Sequence, residues 1–162
     1  MKNILIFDIS KLMERGTGTR DIYSFEGLVS LEGLKFKKAI KGKVEIMKIE
    51  EGFNVKVSDF EAKIEMTCDK CLALYGENIK VDFAERIYFL NRPSETIDPE
   101  DLFLVDKKHL SVDISEMIRQ EIILHFPITP VCSKSCKGLC EIYCKEEGIH
   151  YQPFAKLKEL LK

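Results

Sequence analysis

Six cysteines, confined to two short segments, are the residues of this chain with the most chemistry to offer. Cys68 and Cys71 form a C-x2-C in T-C-D-K-C-L, and Cys132, Cys136, Cys140 and Cys144 follow in V-C-S-K-S-C-K-G-L-C-E-I-Y-C. Thiolate is the soft ligand that zinc and iron–sulfur clusters take, and a C-x2-C loop aims two sulfurs at one ion within a turn of backbone. Such clustering argues against scattered core cysteines. In a chain without a visible secretory signal it also argues against a disulfide framework. A closed, structural zinc site is the expectation. On a continuous helix the late cysteines, four residues apart, would drift by about 40° per step and could not close on one ion. Pro130 before them and Gly138 among them point to a looped segment instead. Two arrangements remain: Cys68 and Cys71 join Cys132 and Cys136, or the four late cysteines form a site of their own. A thioredoxin-like dithiol is the remoter reading, because its first cysteine needs a helix N-terminus to lower its pKa and Cys68 follows a strand-patterned run.

Other chemistry is sparse. His109, His125 and His150 are isolated, and none stands at a metalloprotease or deaminase spacing. His125, just before Phe126-Pro127, reads as a packed or capping residue. No phosphate-cradling G-x-x-x-x-G-K and no G-x-S-x-G elbow occurs, so no catalytic residues and no small-molecule substrate are expected. One stretch is locally basic: Lys35, Lys37, Lys38, Lys41 and Lys43 surround Phe36 with no acid among them, a pattern able to follow a phosphate backbone. The competing reading is a solvated strand edge protected by lysine. Lys134 and Lys137 would add to the patch if the tail folds beside it. Because the formal net charge is -2, any RNA contact must be local.

The elements that position these groups are mostly strands. Phe60, Ala62, Ile64 and Met66 alternate with polar residues, as do Phe53, Val55 and Val57 before them, with Ser58-Asp59 as the expected tight turn between two strands. Val44 and Ile46 make another strand, and Ile79, Val81 and Phe83 a fourth. The runs are too close for crossover helices, so an antiparallel sheet is expected, curled into a partial barrel or sandwich. Helical patterns fall near the ends: Asp113 and Glu116 resemble a capping box ahead of Ile114, Met117, Ile118 and Ile122, and Pro153 precedes Phe154, Leu157, Leu160 and Leu161. Met13 to Gly18 and Asn91 to Asp101 read as exposed loops. The fold class is thus α+β, with C-terminal helices and a cysteine-rich tail. The 162 residues are expected to form a single domain: 1–90 mainly β, 91–107 loop, and 108–162 helical and cysteine-rich. No apolar run reaches the length of a membrane span, and a cytoplasmic location is expected.

The strand into T-C-D-K-C-L, then V-D-I-S-E-M-I-R-Q-E-I-I-L-H-F-P-I-T-P-V-C, C-K-G-L-C and Q-P-F-A-K-L-K-E-L-L resemble, in that order, the YceD family of large ribosomal RNA subunit accumulation proteins. The resemblance covers roughly Glu61 to Lys162. It implies a non-enzymatic factor supporting synthesis, processing or stability of large-subunit ribosomal RNA, with that RNA or a pre-ribosomal particle as partner. Lys70 replaces the arginine usual in the family's C-x-R-C, keeping charge but losing the bidentate fork. The spacing between Cys140 and Cys144 departs from the usual G-L-C-x2-C-G. The resemblance therefore favours Cys68, Cys71, Cys132 and Cys136 as metal ligands, with Cys140 and Cys144 as an alternative or second site. A zinc-stapled protein–protein adaptor is the alternative function, and a dithiol oxidoreductase the remoter one.

Overall fold

The computed structural model describes residues 4–93 and 97–139. The chain groups into two compact units, one of Met1–Glu65 with Gly76–Pro127, the other of Met66–Tyr75 with the chain from Ile128 onward.

Five strands are hydrogen-bonded in the order β2 (Arg20–Gly27), β3 (Ile40–Lys48), β4 (Gly52–Thr67), β5 (Leu74–Phe89) and β6 (Phe103–Leu104), all in the first unit except the last two residues of β4 and the first two of β5. The β2–β3 and β3–β4 pairs run antiparallel. Bonds from Leu90 N–H to Glu51 O and from Cys68 N–H to Ala73 O give the β4–β5 pair the register of a hairpin. The expected all-antiparallel sheet needs one correction: β5 and β6 are parallel, Tyr88 facing Phe103. A parallel partner needs a longer return, and residues 90–102 supply it. The sheet stays open, with β2 and β6 as its edges. β1 (Ile6–Asp8) pairs antiparallel with β7 (Ser111–Asp113) in a separate two-stranded sheet.

The long strand β4 corrects a second expectation. Ser58-Asp59 is no turn; the strand runs through it as a β-bulge, where the register jumps from Lys43 opposite Ser58 to Lys41 opposite Glu61. Buried side chains are odd-numbered from Phe53 to Val57 and even-numbered from Phe60 to Ile64, so an extra residue must be absorbed between them. Asp59 takes it up at φ 51, a left-handed conformation that Asp tolerates better than most residues. In β5 the inward set shifts likewise from Ile79 and Val81 to Ala84 and Tyr88, leaving Phe83, expected inside, 58% exposed under Lys56 Nζ.

The core joins Phe53, Val55, Val57, Phe60 and Ile64 to Ile40, Val44 and Ile46, each burial worth about 1.5–3 kcal/mol. Helix α2 (Ser115–Leu124) buries Met117, Ile118 and Ile122, with Ile114 buried just ahead of it. The expected capping box does not form: Ile114 is the N-cap, Asp113 accepts from Ser115 N–H at 2.8 Å only two residues on, and Glu116 turns forward to a two-pronged pair with Arg119. His125 caps the far end, its Nδ1 2.8 Å from Glu121 O. The buried Glu121 pairs with Arg86 at 2.8 Å, and Tyr88 Oη donates to Asp113 O. Near the N-terminus a one-turn helix α1 (Ser10–Met13) precedes the glycine-rich loop. The expected C-terminal helix, together with Cys140, Cys144 and His150, lies outside the described residues.

Candidate metal centre

The first cysteine segment is the connection between β4 and β5. Cys68 N–H donates to Ala73 O and Leu72 N–H to Cys68 O, so the chain curls back over Cys68 to Cys71. Leu72 completes the curl at φ 58, a left-handed conformation in which a leucine is rare. The second segment is fastened to the first by backbone. Asp69 N–H donates to Pro130 O and Leu139 N–H to Lys70 O, at 2.8 and 3.0 Å. Between these clamps Cys136 N–H closes a turn onto Ser133 O. Gly138 sits at φ 76, where a Cβ would meet Lys70 O at 3.2 Å, so a side chain there would be strained and crowded against the first loop. Residues 131–137 run as bends and turns between Pro130 and Gly138, a loop as those residue types suggested for this part of the segment.

These clamps bring Cys68, Cys71, Cys132 and Cys136 together, every Sγ within 4.8 Å of the others. Two pairs cross between segments, Cys68 with Cys136 at 3.8 Å and Cys71 with Cys132 at 3.7 Å. A tetrahedron with zinc–sulfur bonds of about 2.3 Å has sulfur–sulfur edges of about 3.8 Å. A disulfide would need roughly 2.05 Å. The donor set therefore fits a closed tetrathiolate site, which leaves no position for water or substrate. Cys68 is buried, Cys71 and Cys136 half-buried, and Cys132 the most open.

Backbone N–H groups of Cys132, Cys71 and Lys70 converge on Cys68 and hold its thiol down at about 6. Cys132 is pushed up to about 12, because hydrogen bonding to Cys136 and Cys71 favours its protonated form. The thiols thus cannot all ionise cheaply without a cation among them. Turn amides, not a helix N-terminus, depress the Cys68 pKa. This removes one argument against the dithiol reading, but the burial of Cys68 leaves it no access for a substrate disulfide.

The basic stretch has a different fate. Lys41 and Lys43 lie on β3, an interior strand, so the edge reading fails for them. Lys41 pairs with Glu61 at 2.8 Å, Lys43 with Asp59 at 2.8 Å, and Lys35 and Lys37 both approach Glu65. Lys80 reaches Glu61 from β5, and the two lysines hold that carboxyl at about 2. Among the described residues no carboxylate pairs with Lys38. The signal for this neutralisation was present in β4, where Asp59, Glu61 and Glu65 occur at or near period two. A run read by itself shows only its own charges. His109 is held by Asp106 at 2.6 Å and touches none of the thiols.

The fold and the cluster define a strand-dominated protein in which two cysteine loops are clamped into one four-thiol knuckle. Residues 58–161 match the family described as large ribosomal RNA subunit accumulation protein YceD. That is more than half of the chain, which belongs to this family. No curated protein and no solved structure matches it.

Proposed function

We propose that the protein is a non-enzymatic, zinc-stapled factor that supports accumulation of large-subunit ribosomal RNA through contact with that RNA or a pre-ribosomal particle. The observation that carries the zinc is the crossed pairing of thiols at 3.7 and 3.8 Å, the edge length of a zinc tetrathiolate. Cys68, Cys71, Cys132 and Cys136 would hold the ion, and its chemistry there is cross-linking of two loops, not catalysis. Family membership carries the ribosomal role.

Phosphate contact is supported better at the knuckle than at the strand lysines. Lys35, Lys37, Lys41 and Lys43 are balanced by Glu65, Glu61 and Asp59, whereas Lys70 and Lys134 are exposed and have no carboxylate partner among the described residues. Crosslinking in cells followed by sequencing tests the reading. Large-subunit ribosomal RNA should be recovered with the unaltered protein. In salt titrations, Lys70→Gln with Lys134→Gln should flatten log K against log salt by roughly 0.7 to 0.9 per contact removed. Glutamine at Lys35, Lys37, Lys41 and Lys43 should change it less. No RNA recovered by metal-loaded protein would overturn the RNA reading. The adaptor reading would then stand, favoured by Leu72, Leu74 and Ile128, which are 62%, 64% and 99% exposed.

A further inference from the structure

The outer edge of β2 is a strand edge of an unusual kind. All eight residues Arg20–Gly27 pair in continuous register with β3, from Arg20 opposite Met47 to Gly27 opposite Ile40. No other strand among the described residues pairs with its far side. Natural edges are blunted by proline, lysine, a bulge or brevity, since a free row of N–H and C=O groups templates another strand. Arg20–Gly27 contains no proline and no lysine, has no bulge against β3, and leaves Ile22 64% exposed; its charges, Arg20, Asp21 and Glu26, are of both signs, so they can match a second strand as well as repel one. Such an edge is open to pairing.

From its sequence pattern we infer that β2 pairs antiparallel with β2 of a second copy of this chain, joining two five-stranded sheets about a two-fold axis at Tyr23. Antiparallel neighbours directly opposite one another share a face, so a symmetric register is defined by its central residue. Centred on Tyr23, Arg20 lies opposite Glu26 of the second copy, and the symmetry makes this pair twice. Arg20, Ile22, Ser24 and Glu26 form the exposed face of the strand. In this register Ile22 faces Ser24 of the other copy and lies diagonal to its Ile22, so the exposed isoleucines cover each other. A register centred on Ile22 would put Arg20 opposite Ser24, and one centred on Ser24 would put Glu26 opposite Ile22. Neither matches charge to charge. The interface is isologous and closes on itself, leaving no free β2 edge for further growth. It is independent of the zinc and RNA readings.

Sedimentation of the full-length chain over a range of concentrations tests it. A reversible monomer–dimer equilibrium is expected. Arg20→Glu or Glu26→Arg alone turns both cross-strand pairs from attraction to repulsion and should raise the dimer Kd about tenfold, ~1.4 kcal/mol. The double reversal should return Kd to within about threefold of the parent. Arg20 also touches Glu45 at 3.4 Å, so a thermal melt accompanies each variant. Should a variant fold poorly, hydrogen exchange on the unaltered protein decides instead, with the alternate amides of residues 20–27 that point away from β3 gaining protection as concentration rises. A monomer at every concentration, a dimer indifferent to the single reversals, or protection that ignores concentration would each overturn the pairing.

Discussion

Replacing Cys136 with serine removes one corner of the proposed tetrahedron, and the structure sets the scale of the loss. Two of its edges, at 3.7 and 3.8 Å, already match a zinc tetrathiolate, and the remaining separations, all within 4.8 Å, need close by no more than about 1 Å. The backbone clamps of Asp69 to Pro130 and Leu139 to Lys70 hold both loops in place, so little of the binding energy is spent on assembling them. An apparent zinc affinity of about 10–16 kcal/mol shared over four sulfurs is roughly 3 kcal/mol each, or a hundredfold or more in Kd. Serine oxygen, hard and protonated at neutral pH, restores little of it. Because each loop supplies two sulfurs in crossed pairs, Cys71→Ser and Cys136→Ser should lose similar amounts. Competition with a chromophoric chelator measures Kd directly. Thermal melting with and without chelator should show a metal-dependent rise in stability that both variants lack. Freshly reduced parent protein that carries no metal, or a Cys71→Ser variant that binds as tightly as the parent, would rule out a site shared by the two loops. Loss of binding in Cys140→Ser and Cys144→Ser alone would assign the site to the late cysteines.

Three further outcomes follow from the sheet. In Gly52→Ala a Cβ would stand 2.0 Å from Tyr88 O, a backbone atom of the neighbouring strand, so the end of the β4–β5 pair must part at a cost above about 3 kcal/mol; a denaturant midpoint close to the parent's would contradict the packing. Tyr88→Phe leaves Asp113 O short of the donor that now lies 3.1 Å away, and about 1–2 kcal/mol of stability should go with it in urea titration. Glu61 has its folded pKa lowered to about 2 from 4.5 by Lys41 and Lys80. Its stabilising effect is therefore complete above pH 4.5 and lost as pH falls through 2. Melts of Glu61→Gln should show less loss of stability than the parent across that window, and parallel pH profiles would count against the pairing.

Alternation made the strands legible, because a half-buried strand must put apolar side chains on one face whatever it packs against. Ile114, Met117, Ile118 and Ile122 marked α2 by the same logic at helical spacing. The bulge at Asp59 was legible too, in the change from odd to even apolar positions. It resembled a turn because a single residue at left-handed φ serves in both. Phe83 shows the limit of such patterns: a phenylalanine in phase with Ile79 and Val81 is apolar by sequence but outside by structure. The parallel β5–β6 pair had no local signal, since Phe103-Leu104 is too short to carry a period.

For the candidate site, cysteine type and spacing determined the available chemistry, since softness and a two-residue loop are local properties of ligand and backbone. Family resemblance narrowed the choice of four. Which sulfurs meet was decided only by the tertiary clamps, because two segments distant in sequence are brought to 3.7 and 3.8 Å by backbone bonds with no residue signature. The same holds for charge. The sequence determined that residues 35–43 carry five lysines and no acid, yet strand pairing and the tether of Lys35–Lys37 to β4 set four of them against Asp59, Glu61 and Glu65. Coulombic balance depends on distance in space, which the fold alone supplies.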